Sequence, residues 1–525
     1  MILSISQNPI KKNLYQPQKT PNVKNIPLEG SLTNSLVTSP YPKGVFQPFL
    51  GTPKTYSNQI QALKKDMEAF PEDIAYRKTL MANAGKNPDD YYKIRSIVGS
   101  SELKSIMKNY NENEEFYSVG IDDKNIKNKT IRANLHMHTL ASDGFLSAQE
   151  LLDKAAAYAD EVVQKNPAFK KEPFTVAITD HDTTESTKEA IEIISKDPLK
   201  YKNLRVVLGI EFTTFNNIAT NFMKTPTDNH ILAYGIDPNE KTFSKFVDDT
   251  KQCKHKIASK IVNQANKTYQ KSFNTKNDLL SLDEVADFYN PVRKNLIGIF
   301  NYVKSYINTK IILKEVVLKN PELIEKMKQK NLPIKADECM KEMKDFYYQV
   351  DKNNKSRGGL ETISMFLSQK LDMQKPEIEE LIKTTPNLEK YNNFNDNIKN
   401  NLEQYKVTFN PKYHYLPTIK DVFGSIKNQD NAIVGIAHPL DRTVGVEDLN
   451  QKYEYLTDFY NKFKQAGGEK AVFSEVYYQS YADGLKTFKE TDKTKNFLNK
   501  LSEDLNLYKT GSADSHRKNI FKRFD

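Results

Sequence analysis

Six of the chain's eight histidines stand at the edges of short apolar runs: His136, His138, His181, His230, His438 and His516. Carboxylates accompany them. The run Thr130–Met137 leads into His136-Met137-His138 and then the turn Ser142-Asp143-Gly144. Residues i and i+2 of a strand share a face, so both imidazoles can reach one ion. Thr179-Asp180-His181-Asp182 closes the next run, and Glu211 closes Leu204–Ile210. His230 opens a further run, Ala437-His438-Pro439 ends another, and Asp514-Ser515-His516 ends the last, again with i and i+2 spacing. Imidazole and carboxylate together suit divalent Zn, Mn or Fe. The set is too large for one four- to six-coordinate ion, so two or three are expected, with Glu211 as the candidate bridge. Adjacent divalent ions acidify a shared water and neutralise charge developing on a phosphoryl group. The chemistry implied is phosphoester hydrolysis by a metal-bound hydroxide, with no Ser or Cys nucleophile.

Each residue alone also has an ordinary reading. His-x-His pairs occur on exposed strands, and Asp143 suits any turn. Asp182 reads as a cap for the helix that follows. His255, between Lys254 and Lys256, reads as part of a solvated face. His414 reads as structural or at the site's rim, and Cys253 and Cys339 as inert. The convergence of six histidines with Asp143, Glu211 and Asp514 is what favours a metal centre.

Elements must carry these groups. Phe174–Thr179, Leu204–Ile210, His230–Tyr234, Ala432–Ala437, Ala471–Tyr477 and the terminal run Tyr508–His516 read as strands. Ser147–Ala159 reads as an amphipathic helix with a Ser147/Glu150 capping box, and Thr184–Ser195, Ile419–Asn428 and Thr494–Leu505 also read as helices. Short apolar strands alternating with helices predict a parallel α/β sheet or barrel, whose sites form at the C-terminal ends of strands. Between the fourth and fifth strands the rhythm breaks into lysine- and asparagine-rich helices: Lys241–Thr268, Asn295–Tyr306, Ile311–Lys330, Ala336–Val350 and Lys375–Lys383. The organisation expected is a loosely attached tail (1–58), a partly helical extension (59–128), a first barrel part (129–240), a helical insertion (241–412) and a second barrel part (413–525).

Bulk properties narrow the class. The 525 residues carry a net charge of +10, and residues 1–60 alone hold six lysines against one acid. The remainder is nearly balanced, which weakens a nucleic-acid-binding reading based on charge alone and leaves a mild bias toward phosphate-bearing substrates. Mean hydropathy is −0.67. No apolar stretch is long enough to span a membrane, no secretory signal is read at the start, and two cysteines are too few for a disulfide framework. The location expected is the cytoplasm.

In their order along the chain, these motifs resemble the PHP (polymerase and histidinol phosphatase) superfamily. Asn134-Leu135-His136-Met137-His138-Thr139 with Ser142-Asp143-Gly144 resembles its first motif, Thr179-Asp180-His181-Asp182 the second and Gly209-Ile210-Glu211 the third. His230-Ile231-Leu232-Ala233-Tyr234, Ala437-His438-Pro439 and Gly511-Ser512-Ala513-Asp514-Ser515-His516 supply the rest. The resemblance covers about 131–240 and 415–520. It implies a distorted (β/α)7 barrel with a helical inserted subdomain and three divalent ions held by His136, His138, Asp143, His181, Glu211, His230, His438, Asp514 and His516, with Glu211, His230 and Asp514 closest to the catalytic step. The Ser-Asp-Gly turn and the insertion resemble the branch acting on nucleotides and short RNA from the 5′ end. That branch's insertion carries an Arg-Pro-His segment after a stretch resembling Leu282-Asp283-Glu284-Val285. Here the sequence reads Pro291-Val292-Arg293-Lys294-Asn295, so Arg293 is kept and Asn295 stands at the histidine position. Arg293 and Arg442 are the candidate substrate-phosphate contacts.

The substrate expected is therefore a phosphorylated small molecule, nucleotide or short nucleic acid, with no membrane partner. Rivals are a histidinol-phosphate-type phosphatase, a polymerase-linked exonuclease, a metal-dependent C–N hydrolase, and a non-catalytic binding module on the PHP fold.

Overall fold

The computed structural model describes residues 53–110, 131–171, 173–215, 228–289, 299–350, 360–385, 389, 391, 417–440, 448–478, 488–516 and 519–521. The expected tail lies almost wholly outside them, as do His414, Arg293 and Arg442.

Seven strands form one sheet in sequence order: β1 (Ala133–Asn134), β2 (Phe174–Ile178), β3 (Leu204–Phe215), β4 (Asp228–Tyr234), β5 (Ile433–Ile436), β6 (Ala471–Tyr478) and β7 (Tyr508–Ser512). The ends meet. Leu135 N–H donates to Gly511 O at 3.2 Å, His138 N–H to Ser515 O at 2.9 Å and Ser515 N–H to His136 O at 3.2 Å. These bonds bring the sheet nearly to closure as a distorted α/β barrel.

One strand departs from the parallel arrangement that the sequence implies. β4 pairs antiparallel with both β3 and β5, while all other pairs are parallel. Residues 216–227 separate β3 from β4, and antiparallel neighbours need no crossover connection. The reversal explains why His230 opens its strand while the other site histidines follow theirs. The start of β4 lies level with the far end of β3, where Thr213 pairs with His230.

The helices are α1 (Pro53–Asp66), α2 (Pro71–Asn83), α3 (Ser100–Tyr110), α4 (Ala148–Lys165), α5 (Glu185–Lys196), α6 (Lys241–Phe273), α7 (Leu282–Tyr289), α8 (Ile299–Glu315), α9 (Pro321–Gln329), α10 (Ala336–Val350), α11 (Leu360–Leu371), α12 (Lys375–Lys383), α13 (Ile419–Ser425), α14 (Leu449–Gly467) and α15 (Phe488–Asp504). The Ser147/Glu150 capping box is present at α4. The stretch read as one helix over Ile311–Lys330 is broken, because Asn320 caps a new helix with Pro321 in its first turn. Two apolar cores form. One joins the barrel strands to α2, α4, α5 and α14; the other lies within the insertion, around Ile261, Ile311, Leu323, Phe366 and Ile378. No helix of the described residues is long and apolar enough to cross a membrane.

The segment before the barrel covers an exposed strand edge. β4 pairs only with residues from Gly209 onward, leaving the first half of β3 open on that side. Ser96–Val98 fills it: Ile97 bridges Val206 in parallel, Val206 N–H donates to Ser96 O at 2.7 Å and Val98 N–H to Val206 O at 3.0 Å. An unpaired edge would otherwise invite pairing with another chain. Beside it lies a buried ion cluster. Glu102 accepts from Arg95 at 2.9 and 3.0 Å, from Arg77 at 3.0 Å and from Arg205 of β3 at 2.9 Å. Burial pushes the Glu102 carboxyl up, but the three guanidiniums outweigh it and hold its pKa at about 2.

A carboxyl held below its unfolded value of ~4.3 stabilises the fold fully above that value, and its contribution is lost as pH falls from there toward 2. Glu102→Gln leaves three buried guanidiniums without their shared anion and should cost about 3–5 kcal/mol at pH 7. Urea denaturation measures the loss; an unchanged midpoint would show that the cluster does not hold the extension to the barrel.

Candidate metal centre

The site assembles at the end of the barrel where six strands finish and β4 begins. Past β1 the chain alternates: Leu135 and Met137 enter the barrel core, while His136 and His138 turn to the site with ring centroids 5.0 Å apart. The following loop is tight. A Cβ on Gly144 would lie 2.3 Å from the His138 backbone, so only glycine lets Asp143 come this close. Asp180 ties the same loop down, accepting from Thr139 N–H at 2.6 Å, Thr139 Oγ1 at 2.8 Å and Ser142 Oγ at 2.6 Å.

Glu211 is the hub. Its Oε2 lies 3.0 Å from His136 Nε2, 3.3 Å from His138 Nε2 and 3.1 Å from His181 Nδ1. Its Oε1 lies 2.9 Å from His230 Nδ1 and 3.2 Å from His438 Nε2. Asp514 Oδ1 approaches His138 at 3.0 Å, His136 at 3.4 Å and His516 at 3.5 Å. Asp143 lies 3.4 Å from His516, 3.7 Å from His138 and 3.9 Å from His181. All nine residues singled out in the sequence therefore meet in one cluster.

Within it, three groups of donor atoms lie close enough to share an ion: His138, Asp143, His181 and His516; His136, His138 and Asp514; and His181, Glu211 and His230. The donor set fits divalent cations. Asp143 Oδ1 and His181 Nδ1 are buried and make no hydrogen bond. Burial would raise Glu211 and Asp143, yet surrounding imidazoles hold both well below the usual carboxylate range. Burial likewise opposes charge on His138, but Asp514 and Glu211 raise its pKa to about 10. Burial lowers His181, and His138 and His230 add to the effect. Ionised carboxylates crowded with imidazoles out of water are the arrangement that bound cations stabilise.

Three non-glycine residues at or beside the cluster have left-handed backbone. His438 and Asp514 sit at φ 29° and 49°, and Asp182 at 49°. Left-handed backbone at non-glycine residues costs of order 1–3 kcal/mol each and persists where surrounding structure enforces it.

Three expectations change. Glu211 does not close its strand, because β3 continues through it to Phe215 along its ladder with β4. Asp182 does not cap α5; Thr184 takes the N-cap position, and the Asp182 carboxylate accepts from Thr213 N–H and Oγ1, each at 3.0 Å. The cause is its left-handed backbone, which turns the side chain toward β3. His255 is half-buried and burial lowers its pKa, so it is not a fully solvated group. Among the residues touching the cluster, Glu475 of β6 was not legible in the sequence. It lies 3.2 Å from His136 Nδ1, accepts from His438 N–H at 2.8 Å and accepts from Ser512 Oγ. The signal available was an acid inside the apolar run Ala471–Tyr477, since a buried carboxylate needs a partner.

No protein-family model matches the chain, and no curated protein matches it. Among solved structures, the chain is similar to one from Bifidobacterium adolescentis named for a metal-dependent phosphoesterase, at 16% identity, 75% of this chain, 90% of that one and a TM-score of 0.34. It is also similar to an amidohydrolase from Chromobacterium violaceum with bound sulfate and no metal, at 14% identity, 74% of this chain, 88% of that one and a TM-score of 0.36.

Glu475 orients two of the site's histidines without joining any of the three donor groups. Partners of that kind typically change metal affinity 10–100-fold. Glu475→Gln should therefore weaken Mn binding by about that factor in a calorimetric titration, with circular dichroism unchanged. Wild-type affinity would show that Glu475 does not orient the ligating groups.

Proposed function

We propose that this chain is a metal-dependent phosphoesterase of the PHP kind, hydrolysing a phosphomonoester or phosphodiester of a nucleotide or short oligonucleotide. The observation that carries the reading is Glu211, one buried carboxylate within 3.3 Å of five imidazoles carried by four different strands or their ends. The nine residues His136, His138, Asp143, His181, Glu211, His230, His438, Asp514 and His516 would hold up to three divalent ions, of Mn, Zn or Fe. Such ions acidify water at neutral pH and offset the charge that develops on a phosphoryl group.

The chain's own residues give the site a direction. The side chains of His136, His138 and Glu211 are at most 1% exposed and Asp514 4%, so they form a floor closed to water. His181, Asp143 and His516 are 13–14% exposed and His230 24%, so substrate enters on their side. Glu211 spans floor and rim, with one oxygen toward His136 and His138 and the other toward His230 and His438. It fixes their spacing and keeps them facing a common centre. Asp514 Oδ1 also approaches the two floor histidines, at 3.0 Å from His138 and 3.4 Å from His136. His230 is the group best placed to meet an incoming phosphoester, with Arg293 and Arg442 proposed as substrate contacts and Arg442 suited to grip the phosphate bidentately. The free Cys253 and Cys339 fit a reducing cytoplasm.

Mn-loaded full-length protein should release phosphate from p-nitrophenyl phosphate and turn over 3′,5′-bisphosphonucleotides or 5′-phosphorylated oligonucleotides. Turnover of histidinol phosphate alone would move the assignment to a small-molecule phosphatase; amide hydrolysis without phosphate release would make the chain a C–N hydrolase; metal uptake without turnover would make it a binding module. His136→Ala and Asp514→Ala should each lower kcat/KM by about 10²-fold or more with the fold intact, since misplacement of reacting groups costs that much. Retained activity in either would refute the assigned centre.

A further inference from the structure

The first helix of the insertion, α6, belongs to both cores. Near its start Phe243 and Val247 pack into the barrel core, and from Ile257 to Tyr269 it builds the core of the insertion. Lys254 lies between the two stretches and is only 6% exposed. Its ammonium donates to Asp182 Oδ2 and, at 3.1 Å, to Thr213 Oγ1. Asp182 is fully buried and follows His181 directly, and its N–H donates to Glu211 O at 2.9 Å. Thr213 lies two residues beyond Glu211 and pairs with His230 across the β3–β4 ladder. One lysine thus grips, through two side chains, the backbone that carries His181, Glu211 and His230.

Packing does not require this pair. Burying a lysine and an aspartate costs desolvation that an apolar pair of similar volume would avoid. The other links from α6 to α5, Lys251 to Glu185 and Lys188 to Ser244, are partly exposed and contribute little. None of the nine centre residues is used up by the contact, so it acts on the centre from outside.

We propose that Lys254 is a positioning residue. Through Asp182 and Thr213 it sets the His181–Glu211–His230 group, and because it sits on α6 it ties that group to the insertion. A shift of the insertion would then reach these three side chains first, and through His181 the His138–Asp143–His181–His516 group as well. The inference rests on reading the first group as a divalent-ion site.

Full-length Lys254→Met, Asp182→Asn and the double variant test it, with Lys254→Arg as the conservative control. Mn bound per chain is followed against free Mn, and hydrogen exchange is followed in peptides spanning 209–215 and 241–260 of metal-free protein. Both single variants should weaken Mn binding about tenfold, at the lower end of what outer partners of ligands contribute, with the loss falling on the sites that use His181, Glu211 or His230. Exchange should speed up in both peptides, the double variant should be no worse than either single one, and Lys254→Arg should recover part of the loss. A wild-type Mn isotherm with wild-type exchange over 209–215 in Lys254→Met would overturn the proposal. If the wild type itself takes up no Mn, the ion-site reading falls, and the exchange data alone then support or overturn the linkage. Should Lys254→Met not fold, Thr213→Val carries the same test: faster exchange over 209–215 supports the linkage, and unchanged exchange overturns it.

Discussion

A buried carboxylate surrounded by five imidazoles is an unusual thing for a barrel to build, and much of this fold serves to keep Glu211 there. The side chain is 1% exposed. An ionised carboxylate in that position is tolerable only while its partners stay at hydrogen-bonding distance. Those partners come from β1, β2, β4 and β5, so the ends of four strands must hold register with β3 to within a fraction of an ångström. The bridge from Met137 to Ser515 adds the end of β7, bringing Asp514 against the two histidines after β1.

Other features follow from that demand. The reversed β4 presents His230 beside Glu211 through an antiparallel ladder. Left-handed backbone at Asp182, His438 and Asp514 aims side chains that a regular strand end would point elsewhere. Glu475, Asp180 and the Lys254–Asp182 pair fix the shape of the loops that carry the clustered histidines and carboxylates, each from a different element. The extension before the barrel stiffens the other half of β3, through the Ile97 bridge and the arginines gathered on Glu102. The strand bearing Glu211 is thereby held along its whole length.

The legible part of this architecture was its local part. Alternation in Leu135-His136-Met137-His138 put two imidazoles on one face, and the Ser147/Glu150 box marked the start of α4, because both depend only on neighbours in sequence. The nine centre residues were legible for a further reason: a histidine at the edge of an apolar run, with an acid nearby, does not recur six times by chance. The direction of β4 was not legible, since strand pattern carries no polarity. Glu475 and Lys254 were missed because each acts across hundreds or tens of residues, Glu475 on His136 and Lys254 on Asp182, with nothing local to mark it. The gathering of Arg77, Arg95 and Arg205 on Glu102 was hidden for the same reason. In the insertion, the break between α8 and α9 was signalled by Asn320-Pro321, and the apolar periodicity on either side masked it.

Anomalous diffraction from crystals soaked in Mn tests the metal centre most directly. At least two ordered ions are expected at the barrel end, within reach of Glu211 and of His136, His138, His181 and His230. An ordered barrel end with no Mn on Glu211, or with the metal bound only elsewhere on the chain, would contradict it.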